Sequence, residues 1–458
     1  MAGKQERAYV IGVGMTKFSK PQGRADYPGK FIYIACGRCS LLGREAASKA
    51  LLDAGIKYDD IQQAIVGYSY GDSTCGQRIL YQLGMTQIPI INVNNNGATG
   101  STALFIARQL VEAGIIDCVL ALGFEKMAPG SLPNNFTDRV HPVELSILLM
   151  SKTRGLEPAP IPAQIFGNAG IEYCEKYGAT PDHMAKIAEK NHRHSANNPY
   201  SQLRDILSLD QIKSSPNVFG PLTKVQCCPN ADGAAAAVLA SKRFVCNHGL
   251  QGQAIEIVAQ SLATDSPLLY EKKSSIELAG ADMTRRAARD AFNKAGITPN
   301  DVQVVELHDC FSANELITYD ALGLCKPGEA HKLIDAGDVT YGGKYVVNPS
   351  GGLISKGNPI GATGLAQCTE LVWQLRGWCE SRQVPNIQYA LQHNIGLGGA
   401  AVVTIYKRAE GLGKPKKSQD PQKRFGYNPA IEIKPISDAD FKRVCSSVDI
   451  SEFALGKL

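Results

Sequence analysis

Long apolar runs are missing from this sequence. Nowhere among its 458 residues do the roughly 18–20 uninterrupted apolar side chains of a membrane-crossing helix follow one another. Strong charge of one sign is missing too: 48 Lys and Arg stand against 43 Asp and Glu, a formal net charge of +5. The basic residues are scattered until the last fifty, which gives little support to a nucleic-acid surface, and no nucleic-acid partner is expected. No apolar signal core follows Met1-Ala-Gly-Lys-Gln-Glu-Arg7, which runs straight into a strand-like segment, so secretion is not expected. The 13 cysteines show no disulfide framework, which points to a reducing interior. Cys36-Gly-Arg-Cys39 is the only Cys-x-x-Cys pair. A zinc site needs a second ligand pair, and none lies at a suitable spacing. A redox reading needs a strand-to-helix context that Phe31-Ile-Tyr-Ile-Ala35 does not supply. These are read as ordinary buried thiols, and neither a metal nor a permanently bound cofactor is expected.

What is present is an internal repeat. Ala46-Ala47, Ala50, Ala54-Gly55-Ile56 and Asp60-Ile61-Gln62 recur as Ala287-Ala288, Ala291, Ala295-Gly296-Ile297 and Asp301-Val302-Gln303, at a constant offset of 241 residues. Each copy reads as an amphipathic helix with small residues on its packing face, stopped by glycine. Each is followed by an apolar run, Ala64-Ile-Val-Gly67 or Val304-Val-Glu-Leu307, that reads as a buried strand. A second echo follows in the same order. Gly97-Ala-Thr-Gly100 opens a helix through Ala103, Leu104, Ala107 and Leu110, and Gly361-Ala-Thr-Gly364 opens another through Ala366, Leu371 and Leu375. The strands Cys118-Val-Leu-Ala-Leu122 and Tyr389-Ala-Leu391 come next. Two such halves predict a duplicated α/β fold with parallel sheets and right-handed crossovers.

The pattern sets boundaries at 7–260 for the first half and 261–407 for the second. Between about 125 and 235 it breaks into a stretch rich in Pro, Asn and His, with short helices such as His183 to His194. This reads as an insertion of the kind that covers a substrate. Residues 408–458 hold a charged linker, Lys414 to Arg424, and a short tail expected to be ordered.

Several runs carry a resemblance. They are Val13-Gly-Met-Thr-Lys-Phe18, Gly71-Asp-Ser-Thr-Cys-Gly-Gln77, Asn94-Asn-Asn96 with Ala98-Thr-Gly-Ser-Thr-Ala103, and His308-Asp-Cys-Phe311. Asn348-Pro-Ser-Gly-Gly-Leu-Ile-Ser-Lys-Gly357 and His393-Asn-Ile-Gly-Leu-Gly-Gly399 complete the set. Over roughly residues 7 to 407 the sequence resembles the thiolase superfamily, in the branch of the sterol carrier protein X thiolases, which are peroxisomal enzymes that cleave branched 3-oxoacyl-CoA. The resemblance implies the thiolase fold: two duplicated βαβαβ halves packed as five α-β-α-β-α layers with an inserted loop domain. It implies CoA or acyl-CoA as substrate or ligand. It also implies a thiolate nucleophile at a helix start, a Gly-His-Pro histidine that activates it, a second cysteine that moves the α-proton, and backbone N–H groups of a Gly-rich loop for the oxyanion.

Two of these residues are absent. Gly97 occupies the nucleophile position and Asn358 the histidine position. Glycine forms no acyl-enzyme, and asparagine shuttles no proton near neutral pH. Cys310 matches the acid/base cysteine of this branch, and His308 its oxyanion-hole group. Asn394 stands where other thiolases carry their acid/base cysteine, and Gly396 and Gly398 match the oxyanion-hole loop. Losing a nucleophile costs on the order of 10⁶ in turnover, and a lost partner adds little more. The expectation is therefore a thiolase-like acyl-CoA binder of lipid metabolism with impaired catalysis. One alternative is an active acyl-CoA C-acyltransferase using a rescue nucleophile such as Cys310. Another is a non-enzymatic assembly subunit. Thr99 and Ser101 read as helix-start hydroxyls bonded to backbone, and Cys75 as a packed loop thiol.

The resemblance also implies a homodimer in which the strand Ile88-Pro-Ile-Ile-Asn-Val93 pairs with its twin across a two-fold axis. About a dozen extra, mostly apolar residues, Gly29 to Leu42, interrupt the family pattern; they read as an exposed patch, a new contact or a mispredicted exon. The terminal Gly456-Lys-Leu458 resembles a peroxisomal address read by an import receptor through Leu458, which favours peroxisome over cytoplasm or mitochondrion.

Overall fold

A computed structural model describes residues 6–21, 42–130, 136, 138–413 and 420–447. The 29–42 insertion up to residue 41, both members of the Cys36/Cys39 pair, residues 414–419 of the charged linker, and the terminal tripeptide lie outside the described residues.

Among the described residues twelve strands are formed: β1 Ala8–Met15, β2 Gln63–Gly67, β3 Ile90–Val93, β4 Cys118–Glu125, β5 Asn217–Phe219, β6 Leu222–Thr223, β7 Gly233–Ser241, β8 Ile255–Ala263, β9 Val302–Glu306, β10 Val346–Val347, β11 Tyr389–Gly396 and β12 Ala400–Arg408. β5 and β6 pair by themselves, and the others form one sheet in the order β10-β9-β11-β12-β8-β1-β7-β4-β2-β3. The order is a repeat: β3-β2-β4-β7-β1 in one half matches β10-β9-β11-β12-β8 in the other. In each half the first two pairings are parallel and the next two antiparallel. This corrects the expectation of all-parallel sheets. The crossover helices account for the parallel strands, but each half then adds a strand that runs against them, β7 or β12, and a last one, β1 or β8, that turns back again. The two half-sheets meet at a seam of two residue pairs, Tyr9 with Glu256 and Val10 with Ile255. The strand Ile255–Ala263 thus runs across the boundary drawn at 260.

Alternation along the strands builds the layers. Tyr9, Ile11, Cys118, Leu120 and Leu122 face one core together with the helix Leu42–Ala54. Val10, Val119 and Ala121 face a second core that also takes Val304 and Ala390 of the other half. The helices Thr99–Glu112 and Thr363–Arg376 lie in that central core. Val305, Leu391, Val403 and Ile405 face a third with the helices Ala281–Ala295 and Ser312–Ala321. The result is five layers, α-β-α-β-α. Close approach requires small residues: a Cβ at Gly12 would stand 2.3 Å from the Ala50 carbonyl oxygen of the helix Leu42–Ala54.

The expected short helices of the inserted region are longer, including Ile161–Tyr177 and Pro181–Ser195. No helix among the described residues is long and apolar enough to cross a membrane. Residues 420–447 return over both halves. Arg424 pairs with Asp53, Asn428 donates to the Trp378 carbonyl at 2.8 Å, and Tyr200 donates its hydroxyl to the Pro429 carbonyl at 2.8 Å. Ser446 N–H reaches the Leu83 carbonyl at 2.7 Å, and Ser447 N–H the Asp59 carboxylate at 2.8 Å.

Candidate active site

The site forms where the two central helices begin. Asn94–Gly97 leads into the helix Thr99–Glu112. Thr99 hydroxyl accepts the Asn95 N–H at 2.9 Å, and the Asn96 side chain accepts the Gly97 N–H at 2.8 Å. These bonds wind the loop tightly. Asn358-Pro-Ile-Gly-Ala-Thr leads into the helix Thr363–Arg376, where Thr363 hydroxyl donates to Asn358 Oδ1 at 2.8 Å. Glu125, at the end of β4, ties the walls together by accepting N–H groups of Ser69, Tyr70 and Gly361 at 3.0, 2.9 and 3.0 Å. Burial raises its carboxyl to about 7 against the pull of those three donors.

The segment His308–Cys310 is held from behind. Asn348 accepts the Leu307 N–H at 2.9 Å, and Asp309 accepts the Leu353 N–H at 2.6 Å. A Cβ at Gly352 would stand 2.1 Å from the Asp309 carboxylate, so this position of the Asn348–Gly357 motif has to be glycine.

Gly97 and Asn394 both stand against His308, and Gly396 packs against the loop that carries Gly97. A Cβ at Gly97 would lie 2.5 Å from the Ile395 carbonyl oxygen, 2.9 Å from His308 Cε1 and 3.5 Å from His308 Nε2. A Cβ at Gly396 would lie 1.9 Å from the Asn95 carbonyl oxygen. Gly398 sits in the turn after β11 at φ 103°, with nothing within 4 Å of its Cβ position, away from these groups.

His308 is buried, and burial lowers its imidazole to about 3, so the ring is neutral. A hydrogen-bond chain sets its tautomer. Tyr406 donates to Gln392 Oε1, and Gln392 Nε2 donates to Ser101 Oγ at 2.8 Å. Ser101 donates to Asn394 Oδ1, and Asn394 Nδ2 stands 3.4 Å from His308 Nδ1. With Nδ1 accepting, the proton sits on Nε2, which has no hydrogen-bond partner among the described residues and points toward Gly97. A neutral N–H so placed can hold a carbonyl oxygen or an enolate. The Ser101 hydroxyl therefore bonds side chains, which corrects the backbone role expected of it. Cys75 is buried at the start of the helix Cys75–Leu80.

Cys310 and Asn358 are linked through Cys228, a residue the sequence reading did not single out. Cys228 N–H donates to the Cys310 carbonyl at 2.8 Å, and Asn358 Nδ2 donates to Cys228 Sγ at 3.4 Å. Burial, then the neighbouring Cys228, Asp309 and Cys227, pushes the Cys310 thiol well up. Burial raises Cys228 to about 12, opposed by the Asn358 amide. The Cys227-Cys228 dipeptide before Pro229 was the one signal available. Gln392, Tyr406 and Glu125 left none, because only the fold brings them to the site. Among the described residues no group of three or more His, Cys, Asp or Glu stands together to hold a metal.

Comparison with known families decides the affiliation. The Thiolase, N-terminal domain family matches residues 10–243, and the Thiolase C-terminal domain-like family matches residues 270–408. The chain belongs to the thiolase family. This thiolase homologue is 58% identical over 418 residues to sterol carrier protein 2 of Gallus gallus, covering 91% of this chain and 74% of that one. It is 51% identical to the non-specific lipid-transfer protein-like 2 of Caenorhabditis elegans, covering 92% and 99% of the two chains. Its fold is similar to human mitochondrial 3-ketoacyl-CoA thiolase in complex with CoA, with a TM-score of 0.63 at 19% identity, covering 88% and 98%. The homology makes it a thiolase-like protein of lipid metabolism.

Proposed function

We propose that this thiolase homologue binds acyl-CoA or 3-oxoacyl-CoA and does not turn it over by the covalent thiolase route. The observation that carries the reading is the contact at Gly97. The nucleophile position has no side chain, and the Ile395 carbonyl and His308 ring fill the space a Cβ would need. Asn358, in the histidine position, holds a thiol and a threonine hydroxyl but has no proton to exchange. In the proposed complex the substrate carbonyl oxygen lies on His308 Nε2–H, and the Gly396 loop packs behind it. Cys310 keeps its proton at neutral pH, so it serves there as a proton donor and not as a base for the α-carbon. This arrangement supports binding of the thioester carbonyl without carbon–carbon cleavage. The same raised thiol argues against Cys310 as a replacement nucleophile.

The test is a thiolysis assay on the purified protein with a 3-oxoacyl-CoA, alongside equilibrium dialysis with CoA. Binding without thiolysis is expected. Turnover at the level of an intact thiolase overturns the reading.

The proposed assembly is a homodimer through β3, the edge strand of the sheet. Ile91 in that strand and Met85 in the segment before it are 41% and 50% exposed, an apolar edge that a second copy would cover. Light scattering that finds only monomer at micromolar concentration overturns this. The proposed location is the peroxisome. An N-terminally labelled protein is expected to form puncta that vanish when residues 456–458 are removed, and a diffuse signal from the intact tail refutes it.

A further inference from the structure

Away from the candidate active site, a cavity of about 320 Å³ lies between the end of the helix Ile161–Tyr177, the connection that follows β8, and the helices Ala281–Ala295 and Ser312–Ala321. Ile317 and Asp320, in the second half of the last helix, line it, and His308, Cys310, Cys228 and Asn358 do not. We propose that this cavity is a second binding site, which takes a small carboxylate with an apolar body, of the size of a medium-chain fatty acid.

The first observation is a surplus of hydrogen-bond donors. Lys176, Lys272 and Arg285 reach the cavity from three different elements. The carboxylates beside them are already occupied. Glu277 accepts from Lys272 at 3.0 Å and from Arg285 at 2.7 and 2.6 Å. Glu172 accepts from Lys176, the Ser274 hydroxyl and the Ser275 N–H, each at 2.5 Å. Asp320 accepts from the Tyr173 hydroxyl, the Cys325 thiol and the Gly328 N–H at 2.8, 2.9 and 2.6 Å. Each lysine spends one of its three N–H bonds on these groups, and Arg285 Nε and Nη1 donate to nothing among the described residues. The wall therefore offers charged donors and no free carboxylate, which suits the oxygens of an anion and not a cation.

The second observation is that these donors are held in place. The side chains of Glu172 and Glu277 are 5% and 9% exposed, whereas those of Lys176, Lys272 and Arg285 are 51%, 46% and 42% exposed. Buried carboxylates thus anchor three half-exposed cations, which limits the ordering cost of binding. With Glu172 counted beside Glu277 and Asp320 the charges balance, so directed N–H groups rather than net charge would hold the ligand. The third observation is the apolar lining: Ile276, Ala281 and Ile317 are buried there, and the Tyr173 and Tyr177 rings stand 4.8 Å apart. A volume near the lower end of the range for small-molecule sites suits a short apolar body and not a whole CoA.

The experiment titrates the full chain with octanoate in a calorimeter, with and without excess CoA. Binding of octanoate that CoA leaves unchanged is expected. Octanol keeps the chain without the charge, and inorganic phosphate keeps a charge without the chain; each is expected to bind about tenfold more weakly or not at all. Lys176→Met and Lys272→Met replace half-exposed side chains, and are expected to melt like the parent and to weaken octanoate about tenfold each. A diazirine-bearing octanoate is expected to label the parent chain on peptides carrying Tyr177 or Ile317, a readout that needs no variant to fold. Label elsewhere, displacement of octanoate by CoA, or unchanged affinity in both lysine variants overturns the proposal. Octanol or phosphate binding as tightly as octanoate overturns it as well, and so does the absence of octanoate binding. Failure of CoA to bind bears on the acyl-CoA reading alone.

Discussion

Putting a side chain back at position 97 tests the site most directly. A Cβ there would stand 2.5 Å from the Ile395 carbonyl oxygen and 2.9 Å from His308 Cε1. Ordinary carbon contacts lie near 3.5–4.0 Å, so each neighbour has to retreat by about 1 Å. Neither is the loose end of a flexible side chain. Ile395 is buried in β11 and registered opposite Ala401, and the His308 ring is held through Asn394. Overpacking against such neighbours costs about 1–3 kcal/mol. Gly97→Ala is therefore expected to be less stable than the parent by about that amount in urea unfolding. Gly97→Cys is expected to be destabilised similarly, and to gain little thiolysis, because Asn358 takes no proton from the new thiol. The double variant Gly97→Cys/Asn358→His is expected to recover more turnover than the two single variants together, since the pair acts as a unit. The reasoning fails if Gly97→Ala is as stable as the parent, or if Gly97→Cys alone is as active as the double variant.

Glu125 gives a pH dependence. Its carboxyl is raised from 4.5 to about 7 on folding, so the folded chain holds a proton that the unfolded chain has released. That contribution is fully present below about pH 4.5, is lost as pH rises through about 7, and amounts to about 3 kcal/mol. Urea midpoints of Glu125→Gln are expected to lack this fall, and parallel profiles for the two proteins refute it. Arg382 and Glu370 form a buried pair with contacts of 3.0 Å, so Arg382→Met is expected to cost about 3–5 kcal/mol, with most of it regained in Arg382→Met/Glu370→Met; equal stability of single and double variants refutes this. Ser101→Ala leaves Gln392 and Asn394 short of a partner and is expected to cost about 1–3 kcal/mol. It is also expected to broaden the His308 ring signals in NMR, and an unchanged ring spectrum refutes the relay.

The duplicated architecture was legible because the repeat survives in the turns as well as the helices. The offset of 241 recurs in the short helical turns Tyr58–Asp60 and Pro299–Asp301, and the two central helices are both 14 residues long. The antiparallel strands were not legible. Gly233-Ala-Ala-Ala-Ala-Val-Leu-Ala-Ser241 has no aromatic residue and only one β-branched residue, Val238, of the kinds that usually signal a strand. It is a strand in which every residue is buried between helical layers, and alanine fills most of its positions. Gly97 and Asn358 stood out against motifs local in sequence. The Asn358–Cys228 contact spans 130 residues and exists only in the folded chain. The same holds for the chain of hydrogen bonds that ends on His308: its members come from the helix Thr99–Glu112, β11 and β12, and no local spacing joins them.

The segment 420–447 has a consequence for synthesis. Its partners, Asp53, Asp59, Leu83, Tyr200 and Trp378, are all translated before it. While the ribosome still holds that stretch in its exit tunnel, the Tyr200 hydroxyl has no Pro429 carbonyl to donate to, and the Trp378 carbonyl lacks its amide donor. The emerging polypeptide therefore reaches its native packing only once that segment has left the tunnel, however early each half begins to fold. Recombinant versions cut at the last strand would stay in that unfinished condition permanently.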